Sequence, residues 1–465
     1  MKKRLLFLCL SLISIKPYAQ FVQTSHPDTA FISYFRMTEA GSMTAGDGGM
    51  SVRLPDGRTA WLISDSYISA VNPVDTSLAC LFDINNCLLL QDSINESEII
   101  TRYRTFATGV QRTFFTTDYS PGGNDRFWPV HGFTNTNKLY VFLHRIQGGL
   151  MEFAGSYLAQ LSLPSLTIDS ITEISKSDIL WGHYVLPNAA GDTLYIYGTR
   201  KNWITFDNYL ARCPIDEIYG QWQYFTGSDW SMDSAMAGKI TLVTAKVFGN
   251  GMSVLPLQGK YYLFLQENGF LSCGLGRNIE VFRSDNPWGP FDLEKSVYTI
   301  KDSYADTFMI TYQAFAHAEF TRNDEVLISY AVNNVCPNQC QNIWTDRINA
   351  DTYRLKFIRV PFNVIDPDLQ LNLDIADPEI TLPEVLVFPN PVTNWLTIKP
   401  GNSETKILEV YIINNAGIVS YVSDYKTNME MTGNFKINMQ SFSCGLYIVK
   451  ILTNESVVCK KVIKR

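Results

Sequence analysis

The sequence predicts an all-β chain: a five-bladed β-propeller followed by a small Ig-like β-sandwich. First, runs of β-branched and aromatic residues that follow a turn residue recur five times before residue 365. Second, two of these repeats align without gaps, because Gly49-Met-Ser-Val returns as Gly251-Met-Ser-Val. Third, the strand pattern restarts after an acidic segment that contains several prolines. Strand-only repeats of this length are typical of propeller blades.

The composition indicates a folded, exported chain. Of its 465 residues, 46% are hydrophobic and 18% are charged, which supports a sizeable core and argues against disorder. The net charge of -7 disfavours a general nucleic-acid partner. Residues 1–20 combine a basic start with an apolar run and a small residue at Ala19, the pattern of a secretory signal peptide. That apolar run is too short to cross a membrane, so no transmembrane span is predicted.

Eight cysteines remain after residue 20, and an even number in an exported chain predicts disulfides. Sequence spacing suggests two local bridges and one bridge between two late strands. A metal knuckle is the alternative interpretation of the Cys-Pro-Asn-Gln-Cys segment, but no second cysteine pair is placed to complete it. The suggested bridges are Cys80–Cys87, Cys336–Cys340 and Cys444–Cys459.

Residues 46–65 form the first predicted hairpin. The turn Pro55-Asp56-Gly57 joins two strands, since proline presets φ and glycine tolerates a positive φ. Asp47 opens this hairpin and Asp65 closes it. Residues 30–37 are predicted to be a strand that closes the ring by joining the last blade. Four further runs share the character of the second hairpin strand, namely residues 137–143, 191–197, 258–265 and 323–330.

The sequence also predicts the domain organisation. Residues 1–20 are the signal peptide and residues 21–365 the propeller. Residues 366–384 are acidic and contain Asp-Pro and Leu-Pro pairs, which predicts a linker. Residues 385–465 contain strands of alternating or apolar character and form the β-sandwich.

Four segments of the last domain carry a family resemblance. They are Phe-Pro-Asn-Pro-Val at 388–392, Asn-Ala-Gly at 415–417, Gly-Leu-Tyr-Ile-Val-Lys-Ile at 445–451 and the basic ending 460–465. The domain resembles the type A C-terminal sorting domain of the type IX secretion system of Bacteroidota. The resemblance implies that the type IX machinery is a partner and that the chain ends at the outer-membrane surface or outside the cell. The alternative is an ordinary Ig-like sandwich.

The propeller region resembles five-bladed propellers of the glycoside-hydrolase type, including the domain of unknown function family 4185. The residues that carry the resemblance lie at 46–49, 54–58, 61–66, 283–291 and 316–333. The resemblance implies a glycan or polysaccharide as the partner. Glycoside hydrolysis needs two carboxyl groups that flank the scissile bond. Asp47 is the candidate base, and Glu267 or Glu319 is the candidate acid. Each has a structural alternative, such as pairing of Glu319 with an arginine.

Several further side chains are candidates for substrate binding because polar residues near the inner strands of a propeller converge on its channel. Three histidines precede a predicted blade strand and could bind sugar hydroxyls or a metal. Tryptophans could stack on sugar rings, although each is more often a core residue. No cofactor is predicted, and a structural cation in the channel is left open. The candidates are Asp65, Trp128, His131, Trp181, His183, Arg200 and His317, with Trp203 and Trp230 as further aromatics.

The favoured function is therefore a secreted propeller that hydrolyses a glycan. The first alternative is a glycan-binding or adhesive surface propeller without catalysis. The second is a purely structural surface protein.

Overall fold

The computed structural model describes residues 24–105, 111–116, 125–148, 152–271, 274–335, 340–342, 344–369, 385–400, 406–414, 419–423, 435–453 and 457–465. The predicted signal peptide and most of the predicted linker lie outside these residues. The chain divides into two compact units, residues 1–371 and 372–465. Among the described residues, no helix has the length and the apolar character that a membrane crossing requires.

The first unit is a five-bladed propeller of antiparallel sheets. In four of the sheets the chain runs from an inner strand outward; in the fifth the inner strand is Thr307–Arg322, and the short strand Ser303–Tyr304 pairs with its beginning. The first blade consists of Ala45–Arg53, Thr59–Tyr67, Cys87–Gln91 and Ile99–Arg102, and the second of Arg126–Asn135, Lys138–Gln147, Glu152–Ser162 and Thr167–Ser175. The third consists of Leu180–Pro187, Thr193–Asn202, Thr205–Pro214, Gln223–Phe225 and Trp230–Ser231, and the fourth of Phe248–Leu257, Lys260–Glu267, Asn278–Ser284 and Asp292–Thr299. The fifth consists of Ser303–Tyr304, Thr307–Arg322, Glu325–Val335 and Lys356–Pro361.

The blades form a closed ring around their inner strands. Each inner strand packs against the inner strands of its two neighbours, and the first blade packs against the fifth. Short hairpins join the inner strands to the second strands. Gln258 and Gly259 both have positive φ, as do Asn323 and Asp324, which matches the type I′ turns that suit twisted hairpins. The five predicted hairpin strands are thus confirmed as the second strands of the blades.

The N-terminal segment closes the ring in a different way from the one predicted. His26–Pro27 pairs with Lys356–Pro361 as the outermost strand of the fifth blade. Residues 30–37 are not a strand, because Thr29–Tyr34 is an α-helix. The Asp28 side chain caps this helix by accepting from two backbone N–H groups. The helix then buries Phe31 against the Trp61 side chain.

Several short elements complete the first unit. Ser77–Ala79 pairs with Arg347–Asn349, and this two-stranded ribbon links the first blade to the fifth. Arg104–Thr105 pairs with Gln111–Arg112. The remaining helices are short: the 3₁₀ turns Ile215–Glu217, Ser234–Met236, Gly269–Leu271 and Ala350–Tyr353, and the α-helix Phe362–Ile365.

The second unit contains two sheets that share one apolar core. One sheet has the strands Val385–Phe388, Trp395–Pro400 and Phe435–Asn438. The other has Val419–Val422, Ile407–Asn414, Gly445–Thr453 and Val457–Lys464. Two sheets around a common core make the β-sandwich that the sequence predicts.

The disulfide of the described residues joins Cys80 to Cys340, with 5.8 Å between the Cα atoms. The local bridges predicted from spacing are therefore wrong. Cys87 is a free, buried residue of the third strand of the first blade, whereas the ribbon between blades one and five brings Cys80 to Cys340. Cys444 is free and exposed, so the bridge predicted for it is also wrong.

The first residues of the predicted linker belong to the propeller. Asp366 is buried, accepts a hydrogen bond from the Tyr262 hydroxyl (2.8 Å) and pairs with Arg283 (2.9 Å). The Asp-Pro pair at 366–367 suggests a break in structure, but the carboxylate anchors the chain to the fourth blade.

Candidate active site

The carboxyl groups of interest lie near the two ends of the propeller channel. The inner strands run in the same direction, as three contacts between the first and fifth blades show. The Tyr312 hydroxyl bonds to Asp47, the Ser51 hydroxyl to His317, and the Arg53 guanidinium to the carbonyl of Glu319. We call the end where the inner strands begin the Asp47 end, and the opposite end the far end.

Aromatic side chains fill the middle of the channel. The rings of His131 and Tyr184 stack with 4.5 Å between their centroids, and Phe315 lies 5.1 Å from His131. His317 lies 5.1 Å from Phe315 on the other side. All four side chains are buried. The channel is therefore packed at mid-height, and its two ends present separate surfaces.

Two tyrosine side chains contact the Asp47 carboxyl group at the Asp47 end. Its Oδ2 accepts hydrogen bonds from the hydroxyls of Tyr312 (2.6 Å) and Tyr353 (2.9 Å). Among the described residues, Oδ1 has no hydrogen-bond partner although it is buried. Burial, followed by the charge of Asp65, raises the pKa of Asp47 to about 7. A carboxyl group with this pKa is protonated in about half of the molecules at neutral pH.

Two glycines after Asp47 set the direction of its side chain. Gly48 and Gly49 have φ values of +85° and +83°, and the strand pairing shifts its register at these positions. Such a bulge turns side chains away from the regular alternation of a strand. A Cβ atom on Gly49 would lie 2.5 Å from Leu355 Cδ1. The Gly-Asp-Gly-Gly sequence is thus explained by the backbone that Asp47 requires.

We expect Gly49→Ala to destabilise the propeller by roughly 2–4 kcal/mol, from the positive φ and the contact with Leu355 together. Gly259→Ala is the matched control, since Gly259 has φ +80° and nothing within 4 Å of its Cβ position. The control should cost only about 1 kcal/mol. Thermal unfolding of both variants measures the difference, and equal losses would show that Leu355 does not constrain this bulge.

Asp65 lies near the end of the second strand of the same hairpin, close enough to Asp47 for its charge to raise the pKa of Asp47. Its Oδ1 accepts from the Asn85 amide (3.2 Å) and from the Trp128 indole N–H (3.3 Å). Burial raises the pKa of Asp65, while Asn85, the charge of Arg126 and Trp128 act in the opposite direction. These donors stabilise the ionised form of Asp65. The structure thus brings together two buried carboxyl groups with raised pKa values, and each accepts hydrogen bonds from two neighbouring side chains.

The two glutamates proposed from the sequence lie elsewhere. Glu319 is near the far end, about six residues along the strand direction from Asp47, or roughly 15–20 Å. It is too distant to act on the same bond, and its raised pKa results from burial. Glu267 lies at the Asp47 end but on the fourth blade, where its Oε1 accepts from the Asn278 amide (3.2 Å) and lies 4.0 Å from the Lys246 ammonium.

Of the three histidines predicted to share a pocket, His131 and His317 both contact Ser51 in the packed channel, whereas His183 packs elsewhere. His131 accepts from the Val185 N–H at Nδ1 and donates from Nε2 to the Ser51 carbonyl. His317 bonds through its two nitrogens to Ser51 and Ser329. Both rings pack the channel, and burial lowers the pKa of each.

His183 instead packs against His144, with 4.6 Å between the ring centroids. Burial lowers the pKa of both rings, so both are neutral at pH 7. No group of three or more His, Cys, Asp or Glu side chains in the described residues has the arrangement of a metal site.

The remaining candidates divide into core and surface. Trp181 is a core residue that packs against Trp222. Trp230 is half-buried beneath the Arg212 guanidinium. Arg200 lies over the Tyr209 ring and 3.8 Å from Asp178. Trp128 contributes to the carboxyl pair, and Trp203 is exposed.

Sequence reasoning missed the groups that surround the pair. These groups are Tyr312, Tyr353, Asn85 and Arg126. The two tyrosines come from the fifth blade and from the loop that follows its second strand, 265 and 306 residues from Asp47. No local motif links them to Asp47. Asn85 precedes a strand, and its position in an Asn-Asn pair was the only available signal.

Comparison with solved structures finds one that shares the fold of this chain. A Bacteroides ovatus ATCC 8483 protein described as a “putative hydrolase” shares 20% identity and a TM-score of 0.61, over 73% of this chain and 90% of that one. An endo-arabinase from Bacteroides thetaiotaomicron VPI-5482 shares 14% identity and a TM-score of 0.40, over 70% and 96%. A Cellvibrio cellulosa α-L-arabinanase mutant shares 11% and 0.39, over 71% and 99%. The first of these likenesses shows a shared fold alone.

No curated protein matches the chain. Residues 386–465 match the family described as the secretion system C-terminal sorting domain. Residues 28–395 match the family described as Domain of unknown function (DUF5005), whereas the sequence motifs resemble family 4185. Since the DUF5005 match covers more than half of the residues, the chain belongs to the DUF5005 family.

Proposed function

We propose that the propeller is a glycoside hydrolase whose catalytic carboxyl groups are Asp47 and Asp65. The observation that carries the proposal is a pair of buried carboxyl groups at the Asp47 end, in which burial and the negative charge of Asp65 together raise the pKa of Asp47 to about 7. Glycoside hydrolysis requires a division between a carboxylic acid and a carboxylate. The propeller fold shared with the Bacteroides ovatus protein agrees with it.

The environments assign the roles. Asp47 holds the proton and acts as the general acid that protonates the leaving oxygen of the glycosidic bond. Asp65 is the carboxylate on the other side of the bond, where it assists the addition of water to the anomeric carbon, and Asn85 and Trp128 hold it in place. Tyr312 and Tyr353 fix Oδ2 of Asp47, which leaves Oδ1 to deliver the proton. These roles differ from those expected from the sequence, in which Asp47 is the base and Glu267 or Glu319 the acid.

We expect hydrolysis to decline above about pH 7, because the required proton of Asp47 is lost as the pH rises through its pKa of about 7. Activity should also decline at low pH, where Asp65 takes up a proton. The pH dependence of kcat/KM between pH 4 and 9 measures both limbs. Activity that stays constant from pH 6 to 9 would contradict the role of Asp47 as the acid.

The C-terminal unit supports a proposal for export. The match of residues 386–465 to a secretion system sorting domain supports passage through the type IX secretion system. We propose that the mature propeller then acts at the outer-membrane surface or in the medium. A glycan substrate agrees with this location, since external polysaccharides do not enter the cell intact.

A glycan-binding propeller without catalysis is the second candidate. It is favoured by the burial of the two carboxyl groups, since Asp47 and Asp65 are only 9% and 6% exposed and offer little surface to a substrate. Release of reducing ends from a panel of arabinan, xylan, galactan and pectin separates the two functions. A hydrolase releases them, and Asp65→Asn abolishes the release, whereas a binding protein retains the polysaccharide without release.

Glu319→Gln tests the alternative pairing in the same assay. Because Glu319 lies near the far end, we expect this variant to keep the activity of the unmodified protein. Loss of activity in Glu319→Gln together with full activity in Asp65→Asn would assign the chemistry to the other end of the channel.

A further inference from the structure

Exposed aromatic side chains are concentrated at the Asp47 end of the propeller. Each blade places one such side chain in or beside the connection between its second and third strands. Because the second strands run toward the Asp47 end, all five connections lie there. We call these five side chains the aromatic rim: Phe82 (38% exposed), Phe153 (41%), Trp203 (83%), Phe270 (60%) and Trp344 (81%).

The two ends of the propeller differ in the number of exposed aromatic side chains that they carry. Among its described residues, seven large aromatic side chains are exposed. Six lie at the Asp47 end, namely the rim and Phe308 at the start of an inner strand. Only Tyr219, which follows the third strand of the third blade, lies at the far end. Exposure of aromatic rings is thus a property of one face, and that face carries the carboxyl pair.

Three rim side chains touch the residues that hold the carboxyl pair. Phe270 packs on Tyr312 with 4.7 Å between ring centroids, and Phe82 packs on Tyr353 with 5.3 Å. Both tyrosines donate to Asp47. Phe153 lies 6.2 Å from Trp128, whose indole donates to Asp65. The rim is therefore continuous with the candidate active site.

The two tryptophans are the most exposed side chains of the rim and come from non-adjacent blades. Trp203 occupies a two-residue turn between Thr193–Asn202 and Thr205–Pro214 with φ +56°, a conformation that a bulky residue rarely adopts. Trp344 lies between Cys340, which is bonded to Cys80, and Arg347–Asn349, which pairs with Ser77–Ala79, so the loop is anchored on both sides. In a ring of five blades, non-adjacent blades lie on opposite sides of the channel mouth.

We propose that the aromatic rim binds an extended polysaccharide chain that crosses the mouth of the channel and places an internal glycosidic bond at Asp47 and Asp65. Pyranose and furanose rings present apolar C–H faces, and exposed aromatic rings offer flat apolar partners for them. A short oligosaccharide reaches the carboxyl pair but not both tryptophans. This inference rests on the proposed function for the site of cleavage, whereas the rim itself concerns binding.

Binding to soluble polysaccharides in native affinity gels tests the rim. Arabinan, xylan, galactan and pectin serve as probes for the mature full-length chain, and Asp47→Asn is introduced to prevent turnover. We expect Trp203→Ala and Trp344→Ala together to weaken binding at least tenfold. Tyr219→Ala is the matched control, because this exposed aromatic lies at the far end, and it should bind as the parent does.

Hydrolysis by chains that retain Asp47 separates the two proposals. The double tryptophan variant should lose activity on the polysaccharide but keep at least half of its activity on a trisaccharide of the same sugar. The proposal for the rim is wrong if the double tryptophan variant in the Asp47→Asn background binds polysaccharide as well as Asp47→Asn alone does. It is also wrong if Asp47→Asn binds none of the probes. Rim-dependent binding in a protein without hydrolysis would support the rim and refute the proposed catalysis.

Discussion

Replacing Asp47 with asparagine should reduce glycan hydrolysis by about 10²–10⁴-fold, because asparagine cannot deliver a proton to the leaving oxygen. The substitution keeps the size of the side chain, and its amide oxygen still accepts from Tyr312 and Tyr353. Binding of the polysaccharide should therefore persist. Initial rates of reducing-end release, measured with substrate well below KM, give the loss in kcat/KM.

The same variant should be more stable than the unmodified protein at alkaline pH. The pKa of Asp47 rises from its ordinary value of 3.8 to about 7 in the folded protein. The stability linked to its proton is complete below about pH 4 and is lost as the pH rises through 7. The advantage of Asp47→Asn should thus grow by roughly 1–3 kcal/mol between pH 5 and pH 8.

Asp285→Asn is the control for both measurements. Asp285 lies at the far end, and its hydrogen bond with Lys260 lowers its pKa. This variant should keep full activity and should not gain stability on going from pH 5 to pH 8. If Asp47→Asn retains the activity of the unmodified protein, Asp47 is not the acid. If Asp47→Asn is less stable than the unmodified protein at pH 8, the ionised Asp47 carboxylate does not destabilise the folded propeller.

Removing the disulfide should produce the largest loss of stability. The Cys80–Cys340 bridge closes a segment of 260 residues and ties the first blade to the fifth. Constraint of so long a segment in the unfolded chain corresponds to roughly 3–5 kcal/mol. We expect Cys80→Ser/Cys340→Ser to unfold at a temperature several degrees lower in calorimetry.

The bridge also supports the loop that carries Tyr353. The double serine variant should therefore lose part of its hydrolytic activity at temperatures where it is still folded. Cys444→Ser is the control, since Cys444 is free and exposed in the second unit. If the double variant unfolds at the same temperature as the unmodified protein, the ribbon of Ser77–Ala79 and Arg347–Asn349 closes the ring without the disulfide.

Local patterns are sufficient to predict the fold. The alternation of apolar residues and the turn residues before each second strand depend on neighbours in sequence, so the five blades and the sandwich can be recognised. The prediction for residues 30–37 is wrong because their aromatic content favours a strand, whereas the Asp28 cap and the burial of Phe31 favour a helix. Cys80 and Cys340 meet because closure of the ring brings the first blade beside the fifth. The sequence spacing of the cysteines does not reveal this contact.

The candidate site is predictable only in part. Asp47 and Asp65 can be recognised because both lie near the strand ends of one hairpin. Their pairing cannot, since the glycine bulge that turns Asp47 toward Asp65 is a matter of backbone geometry. Glu319 lies at the far end because it comes seven residues after Tyr312 along the inner strand Thr307–Arg322 and is level with Arg53.

A crystal structure of Asp47→Asn with a bound oligosaccharide from the hydrolysed polysaccharide tests the central claim most directly. We predict a glycosidic oxygen within about 3.5 Å of the residue 47 side chain, with the Asp65 carboxylate on the other side of that bond. A sugar bound at the far end beside Glu319 and Arg53, with the Asp47 end empty, would contradict the assignment of Asp47 and Asp65 as the catalytic pair.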